Sequence, residues 1–573
     1  MRLNILIAGA AGQGINEISN ILAKALACAG YYVFNYREYG SYIAGGHNFN
    51  VLCLSDKPIN AHENDFDVVI ALNEDVIKRY SKNFKKNVLI LSSQDYKLKK
   101  SPEGTSRCQK ISSEILGPRK SGDFRGSEKR SFSDIKNLIK IEIDNSKIEN
   151  VYYAAALFKI MGLDKSILVE YINKVFAGKA WLKEDLEAVE KSYSIDYKIN
   201  LGLNSNGKTK QVFTGAEACG IAAIESGLQI YLAYPMTPAT SLLSFMAQHQ
   251  KKYNYLVYQP ENEIAVANAA LGVSFSGAIA MIGTAGGGYD LMTEALSMSG
   301  MAELPLVVYL AQRPGPSTGI PTYSMQTDIN VALYGGHGEF SRIVVCPGDV
   351  EDSYRLTKEA FYLSQKYKSP GIILTDKHLA ESYYTIDKLE EYNIKINKPN
   401  KILGKDLIKA SSYEHDELGN TIEIPEEIKK RFDLRLKKWD EMKKEVSKMK
   451  TYSIYRNKNA KKIIISTGSN KGAIIDALKE LKDYEFIQIN YLEPFADIKK
   501  ELKGKEVYTL ETNSTGALAD LIQKNIVIEV PMKNRILKYD ALPFTASDVV
   551  KLLGGERLHE AKSKNKIANG VAS

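Results

Sequence analysis

Helix-forming residues dominate the segment Pro260-Glu261-Asn262-Glu263-Ile264-Ala265-Val266-Ala267-Asn268-Ala269-Ala270-Leu271-Gly272. Its proline and its two carboxylates fall in the first predicted turn, where both residue types are favoured. Ile264, Ala267, Leu271 and Phe275 recur at helical spacing, so we expect them to form one buried face. A carboxylate at the head of such a helix is either an acid held in a dry pocket or a surface partner of the helix dipole.

The composition is that of an ordinary globular protein with several domains. The chain has 573 residues, of which 44% are hydrophobic and 25% charged, and its net charge is +8. At about 150 residues per domain, this length predicts three or four domains. Lysines concentrate at 78–129 and 429–450 without the regular aromatic interleaving of a nucleic-acid groove, so we predict solvated surfaces and no nucleic-acid partner.

The cysteines and the hydropathy pattern exclude several other classes of protein. Five cysteines are widely spaced without a CxxC pair, which argues against a disulfide framework and against a metal site built from this chain alone. The N-terminus runs directly into a strand-like segment, and no apolar run reaches the length of a membrane span. We therefore predict a reduced, cytoplasmic protein without membrane contact.

A strand, a glycine-rich turn and a helix open the chain. The apolar run 3–8 leads into Gly9-Ala10-Ala11-Gly12-Gln13-Gly14, and a helical pattern follows over 15–30. Such a turn points backbone amides and a helix N-terminus at one spot, which suits a phosphate group. The glycine spacing is not GxGxxG and no P-loop lysine follows, so a structural turn without a ligand is an equal alternative.

Alternating strands and helices predict an α/β fold with mainly parallel sheets. In such sheets the functional groups gather at the carboxyl ends of the strands, which is where Thr237, Thr284 and Arg313 fall in the second domain. We predict three domains with the following boundaries: 1–194, a linker at 195–210, 211–390, a connecting segment at 391–460, 461–558, and a frayed tail at 559–573.

Several long motifs occur in an order that indicates one family. They are Tyr-Pro-Met-Thr-Pro at 234–238, Glu-Asn-Glu at 261–263, Gly-Thr-Ala-Gly-Gly-Gly at 283–288, Gln-Arg-Pro-Gly-Pro-Ser-Thr-Gly-Ile-Pro-Thr at 312–322 and Gly-Gly-His-Gly-Glu at 335–339. With them, nearly the whole chain resembles the α subunit of 2-oxoacid:ferredoxin oxidoreductases with the γ domain fused at its N-terminus. The resemblance implies a γ domain, a pyrimidine-type thiamine diphosphate domain and a transketolase-C-like domain, in that order.

The resemblance also implies an activity shared between subunits. Members of the family carry out CoA-dependent oxidative decarboxylation of a 2-oxoacid on thiamine diphosphate, and the electrons pass through iron–sulfur clusters to ferredoxin. This chain lacks a Gly-Asp-Gly motif with the following Asn for the diphosphate's magnesium, and it lacks cluster cysteines. We therefore expect a β subunit to hold most of the thiamine diphosphate, the Mg²⁺ and the [4Fe–4S] cluster, in an αβ or (αβ)₂ assembly.

Two groups of residues match the family's cofactor and substrate contacts. Glu263 matches the acid that hydrogen-bonds the aminopyrimidine ring, whereas Glu261 keeps the role of helix-dipole partner. Thr237 and Arg313 match the contacts of the substrate carboxylate, although a structural ion pair is an alternative for Arg313. The other residues assigned by resemblance are Pro235, Met236 and Thr284 beside the cofactor, and Ser317 and Thr318 beside the substrate. His337 is either a ligand contact or a packed turn residue.

Substrate choice and the CoA site stay open at this point. The fused γ domain and the run 312–319 resemble the 2-oxoglutarate or broad-range members, and a pyruvate-preferring member is the alternative. Gly9, Gly12 and Gly14 are the candidate CoA contacts, although Ala44 stands where the family usually has an arginine. A non-catalytic CoA- or nucleotide-binding module that has kept the fold is the alternative from another class.

Overall fold

The computed structural model describes residues 2–40, 46–93, 137–141, 148–203, 207–397, 405 and 409–554. These residues form an α/β fold with three sheets, in which most neighbouring strands are parallel, as the sequence predicts. Ala44 and the predicted tail at 559–573 lie outside the described residues. None of the described helices is long and apolar enough to cross a membrane.

Sixteen helices and twenty strands carry the described part of the fold. The helices are Ile15–Cys28 (α1), Glu74–Tyr80 (α2), Glu149–Ile160 (α3), Lys165–Val175 (α4), Leu182–Ser194 (α5), Gly215–Glu225 (α6), Thr240–Tyr253 (α7), Glu263–Phe275 (α8), Gly286–Met301 (α9), Ile329–Tyr334 (α10), Val350–Tyr367 (α11), Lys377–Glu381 (α12), Pro425–Val446 (α13), Lys471–Ala477 (α14), Ala517–Ile526 (α15) and Ala546–Leu553 (α16). The strands are Arg2–Ala10 (β1), Tyr32–Glu38 (β2), His47–Ser55 (β3), Phe66–Ala71 (β4), Phe84–Ser92 (β5), Asn137–Lys140 (β6), Gln211–Phe213 (β7), Ile230–Ala233 (β8), Leu256–Tyr258 (β9), Ala280–Thr284 (β10), Leu306–Gln312 (β11), Ile343–Val345 (β12), Pro370–Asp376 (β13), Tyr383–Ile386 (β14), Tyr452–Tyr455 (β15), Lys462–Thr467 (β16), Tyr484–Ile489 (β17), Tyr491–Glu493 (β18), Glu506–Glu511 (β19) and Arg535–Leu537 (β20).

The first sheet has the order β6-β5-β4-β1-β3-β2-β14-β7, and it is parallel from β6 to β1 and antiparallel beyond β1. Side chains alternate along the buried strand β1: Ile5 and Ile7 belong to the core formed with α1 and α3, whereas Leu6 and Ala8 belong to a core shared with α6. The strands β7 and β14 come from the two ends of the predicted second domain. The first sheet therefore joins strands of the predicted first domain to strands from both ends of the predicted second domain.

The second sheet has the order β18-β12-β13-β11-β10-β8-β9 and is parallel from β12 to β9. One face packs against α8 and α9, and the other packs against α6, α7 and α11. Because β8, β10 and β11 are neighbours, the turns after them meet at one edge of the sheet. This edge is where the sequence places the candidate site residues.

The third sheet has the order β15-β17-β16-β19-β20, and its core is continuous with that of the second sheet. Ile463, Ile465 and Ile487 belong to the same apolar cluster as Ile282 and Leu310 of the second sheet. The third domain is therefore fixed against the second one by shared apolar burial.

The predicted helix at 260–272 exists, but its start and its buried face differ from the prediction. It begins at Glu263 with Asn262 as its N-cap, so Pro260 and Glu261 precede it. The buried side chains are Glu263, Val266, Ala267, Ala270, Leu271 and Ser274. Ile264, which we expected in the core, is 51% exposed, because the buried face is set by Glu263 one position earlier.

A buried ion network also joins the second and third domains. The ammonium group of Lys471, at the start of α14, lies 2.6 Å from an Asp352 carboxylate oxygen of α11 and also pairs with Asp349. Lys471 is 5% exposed and Asp352 4% exposed. The carboxylates hold the pKa of Lys471 well above its ordinary value despite the opposing effect of burial.

We expect Lys471→Ala to lower the free energy of unfolding by about 3 kcal/mol, the lower end of the cost of breaking a buried ion pair, because the buried Asp352 keeps Arg355 at 3.3 Å as its remaining cation. Chemical denaturation followed by intrinsic fluorescence measures this change. The matched control is Lys429→Ala, which removes a pair with Asp433 at 2.6 Å between exposed side chains of α13. That variant should lose less than about 0.5 kcal/mol. Equal losses in the two variants would contradict a stabilising role for the buried network.

Candidate functional site

Three predicted site residues meet at the carboxyl ends of neighbouring strands. Thr237 lies in the turn after β8, Thr284 ends β10, and Arg313 follows β11. The Arg313 guanidinium donates a hydrogen bond from Nη1 to the carbonyl oxygen of Thr237 over 2.6 Å. This contact fixes the guanidinium beside the Tyr-Pro-Met-Thr-Pro turn and uses one of its five N–H donors.

Glu263 presents a buried carboxylate at the N-terminus of α8. Asn262 caps the helix by accepting a hydrogen bond from the Ala265 amide at 2.9 Å, which places Glu263 in the first helical position. The Glu263 side chain is 5% exposed, and it makes no hydrogen bond or ion pair with the described part of the chain. A carboxylate of this kind is available to a group that the fold itself does not supply.

The glycine turn before α9 lies directly against this carboxylate. A Cβ atom on Gly288 would lie 2.8 Å from Oε1 of Glu263 and 2.2 Å from Oγ1 of Thr284. Only a glycine therefore allows α9, α8 and the end of β10 to approach so closely. Thr284 is fully buried beneath them.

The loop after Arg313 is exposed and has an unusual backbone. Ser317 and Gly319 both have positive φ angles, of 55° and 54°. A Cβ atom on Gly319 would lie 1.7 Å from the carbonyl oxygen of Pro314, so only glycine fits at this position. The loop curls back on itself and brings Ser317 and Thr318 to the mouth of a cavity.

A cavity of about 740 Å³ lies beside Arg313, between the second and third domains. The side chains that line this cavity include Met236, Asp290, Arg313, Ser317, Thr318, Met325, Thr327, Asp328, Asn330 and Val331 from the second domain, and Asn513, Ser514 and Thr515 from the third. Burial lowers the pKa of Arg313, and the nearby Asp328 partly opposes this shift. The cavity thus combines one guanidinium with apolar and hydroxyl-bearing walls.

Asp328 is a residue of this cavity that the sequence reasoning missed. Its amide donates to Oε1 of Gln312 at 3.0 Å, and its Oδ2 atom is buried without a hydrogen-bond partner among the described residues. Burial raises the pKa of Asp328 to about 6. Its position just before α10 resembles an ordinary N-cap, but the side chain makes no capping hydrogen bond, and no spacing rule in the sequence reveals this.

The other predicted residues occupy different environments. Met236, Ser317 and Thr318 line the cavity, whereas Pro235 is exposed on the turn before it. Glu261 is exposed ahead of α8. His337 is also exposed, and its amide donates to Oγ of Ser297 at 2.8 Å.

The turn Gly9–Gly14 lies in the first domain, between β1 and α1. Three amides of this turn donate hydrogen bonds within the protein: that of Ala10 to Oε1 of Gln13 at 2.6 Å, that of Ala11 to the carbonyl oxygen of Gly46 at 2.8 Å, and that of Gln13 to the carbonyl oxygen of Ala10 at 3.2 Å. The glycines keep the turn tight, but only some of its backbone amides remain free to donate hydrogen bonds to a bound anion.

Comparisons with known proteins agree with these features. Residues 221–450 match the family described as pyruvate flavodoxin/ferredoxin oxidoreductase, thiamine diphosphate-binding, and residues 4–195 match the family described as pyruvate ferredoxin/flavodoxin oxidoreductase. The 2-oxoacid:ferredoxin oxidoreductase α subunit of Saccharolobus solfataricus is 31% identical over 96% of this chain and 97% of its own length. The 2-oxoglutarate synthase subunit KorA of Methanocaldococcus jannaschii is 31% identical over 52% of this chain and 87% of its own length.

A solved structure has the same fold along its whole length. The 2-oxoglutarate:ferredoxin oxidoreductase from Magnetococcus marinus, solved with 2-oxoglutarate, coenzyme A and succinyl-CoA bound, has a TM-score of 0.80 and 26% identity. The match covers 97% of this chain and 99% of that chain. With the strand-end site and the matching motifs, these similarities show that the chain belongs to the α subunits of the 2-oxoacid:ferredoxin oxidoreductases.

Proposed function

We propose that this chain, with its N-terminal γ domain, works with a β subunit in the CoA-dependent oxidative decarboxylation of 2-oxoacids, with ferredoxin as electron acceptor. The substrate is 2-oxoglutarate or a broad range of 2-oxoacids, and the product is the corresponding acyl-CoA. The observation that carries this proposal is the buried, unpartnered carboxylate of Glu263, which lies against Gly288 in the same glycine turn whose Gly286 and Gly287 line the Arg313 cavity. The carboxylate of Glu263 and the guanidinium of Arg313 both have hydrogen-bonding capacity that a bound ligand would satisfy.

Glu263 fits the acid that a thiamine aminopyrimidine requires. Its carboxylate is held by Gly288 and Thr284 at a helix start and has no competing partner among the described residues. When bound, thiamine diphosphate supplies the nucleophilic carbon and the electron sink of the decarboxylation. The role of Glu263 is to hydrogen-bond a ring nitrogen and hold a proton there, while Thr284 and Met236 shape the adjoining wall.

Arg313 and Thr237 form the substrate end of the site. The hydrogen bond from Arg313 to the Thr237 carbonyl oxygen fixes the guanidinium, and its other donors can then clamp the C1 carboxylate of a 2-oxoacid. Ser317 and Thr318 add hydroxyl groups at the cavity mouth. Because a fixed clamp orients the oxo carbon before reaction, it lowers the entropic part of the barrier.

A β subunit would complete this site from the outside. Exposed apolar side chains lie along the edge strand β9, at Leu256 and Tyr258, and next to two site residues, at Ile264 and Leu291. A set of large apolar side chains on one side of a domain is typical of a protein interface. We assign to the subunit that covers them the Mg²⁺, most contacts of the diphosphate and the [4Fe–4S] cluster.

The CoA site is proposed in the γ domain, at Gly9, Gly12 and Gly14. The N-terminus of α1 follows this turn. Gly12 and Gly14 have positive φ angles, and the space beside Gly12 is open, since a Cβ atom there would meet nothing within 4 Å. An anionic group of CoA would lie against the helix N-terminus there.

The function is tested by co-producing the chain with its β subunit and measuring viologen and ferredoxin reduction. The assays contain CoA and either 2-oxoglutarate, pyruvate or 2-oxobutyrate. Reduction with 2-oxoglutarate or with several 2-oxoacids supports the proposal, and strong selectivity for pyruvate supports the pyruvate-preferring alternative. A cofactor-loaded complex that reduces neither acceptor with any of them would favour a non-catalytic module.

We expect Glu263→Ala to reduce turnover by about 10²- to 10⁴-fold, because the proton-holding group beside the aminopyrimidine is lost. Glu263→Gln should lose a similar factor while filling the same space. Steady-state viologen reduction measures turnover, and gel filtration shows whether the complex with the β subunit persists. Glu261→Ala, in the exposed carboxylate two positions earlier, is the control and should retain most activity; wild-type turnover in the Glu263 variants would refute the role.

We expect Arg313→Ala to raise the KM for the 2-oxoacid about 10- to 100-fold, which is the size of a lost charge-assisted hydrogen bond. Arg313→Lys should give a smaller rise, since it keeps the charge but not the paired donors. The KM for CoA, measured in the same preparations, serves as the internal control and should stay nearly constant. An unchanged KM for the 2-oxoacid would show that Arg313 is a structural residue only.

A further inference from the structure

The carboxyl group of Asp328 lines the cavity but has no assigned part in binding the cofactor or the substrate carboxylate. A Cβ atom on Gly286 would lie 2.7 Å from its Oδ2 atom, so the carboxyl presses against the start of α9. Its Oδ1 atom accepts a hydrogen bond of 3.3 Å from the neighbouring Thr327, and Oδ2 accepts none among the described residues. Asp328 therefore lies in the wall of the cavity, and one of its carboxyl oxygens is buried there without a hydrogen-bond donor among the described residues.

The charges of the cavity walls are unequal. Arg313 is the one cationic side chain among the described lining residues, and the carboxyl groups of Asp290 and Asp328 oppose it. When the guanidinium binds the C1 carboxylate of a 2-oxoacid, no described cation of the wall is left for a second carboxylate. A negative charge on the substrate side chain would instead meet like charges at close range.

We propose that Asp328 tunes the charge selectivity of the substrate cavity, so that 2-oxodicarboxylates gain relative to 2-oxoacids with uncharged side chains when Asp328 is protonated and lose relative to them when it is ionised. This inference rests on the proposed function. The ionised carboxylate repels a distal carboxylate, whereas the protonated carboxyl can donate a hydrogen bond to it. The apolar walls at Met325 and Val331 suit an uncharged substrate side chain equally at any pH.

The direction of the pH dependence follows from the surroundings of Asp328. The charged groups that face it are Asp290, on α9, and Arg313, after β11. The loops 314–318 and 513–515, which also line the cavity, contribute hydroxyl, amide and backbone groups. Burial raises the pKa of Asp328 to about 6, so its negative charge is present above that pH and is lost below it. A substrate carboxyl with an ordinary pKa of about 4.3 is ionised on both sides of this transition.

The test compares kcat/KM for 2-oxoglutarate and for 2-oxobutyrate with the complete enzyme between pH 5.5 and 7.5. We expect the ratio of the first value to the second to fall about tenfold as pH rises through this range, the size of one charge interaction across a partly solvated cavity. In Asp328→Asn the ratio should be flat and, at pH 7.5, about tenfold higher than in the wild-type enzyme. Taking a ratio cancels every pH effect on CoA binding and electron transfer that the two substrates share.

The control is Glu294→Gln. It removes a negative charge from an exposed position of α9, one turn after Asp290 and outside the cavity lining. It should keep the wild-type slope, and this separates a local effect from a change in net charge. A wild-type ratio that does not change with pH would overturn the inference without any variant. A ratio whose slope persists in Asp328→Asn would overturn it as well. Absence of activity with both substrates would instead refute the proposed function.

Discussion

A carboxylate buried without a partner in its own fold is the constraint on which the rest of this structure depends. Burying an unpaired charge costs several kcal/mol even after relaxation, whereas a helix N-terminus returns only about 0.3–1 kcal/mol to a nearby anion. The helix dipole alone therefore cannot account for Glu263 in its 5% exposed position. A bound group that forms a hydrogen bond with the carboxyl offsets this cost, which is the demand that a thiamine aminopyrimidine meets.

The parallel sheet turns distant parts of the sequence into neighbours around this group. Thr237, Thr284 and Arg313 are separated by dozens of residues, yet each lies at or just beyond the carboxyl end of one of three adjacent strands. Gly288 then lets α9 approach α8 until it contacts the Glu263 carboxylate, which a Cβ atom at position 288 would prevent. The geometry around Glu263 is therefore a consequence of strand order and of one missing side chain.

Much of this arrangement could be predicted because the relevant signals are local. Strand-to-turn transitions placed Thr237 and Arg313 correctly at strand ends, and the glycine turn before α9 was visible in the sequence. The prediction for the buried face of α8 was wrong in part. Hydrophobic periodicity favours burial of Ile264 over Glu263, but in the structure the acid lies on the buried side. Asp328 could not be found, because its isolation depends on Gly286 and Gln312, which only the folded chain brings together.

The same kind of long-range pairing joins the first domain to the second. Its sheet is completed by β14, where Tyr384 pairs with Phe34, and the hydroxyl of Thr385 bonds both the amide and the carbonyl of Val33. Nearby, the ring of Tyr36 lies 5.2 Å from that of His378, whose pKa burial lowers to about 3. Since that imidazole is neutral above this pH, it adds no charge to the contact between the two domains at neutral pH.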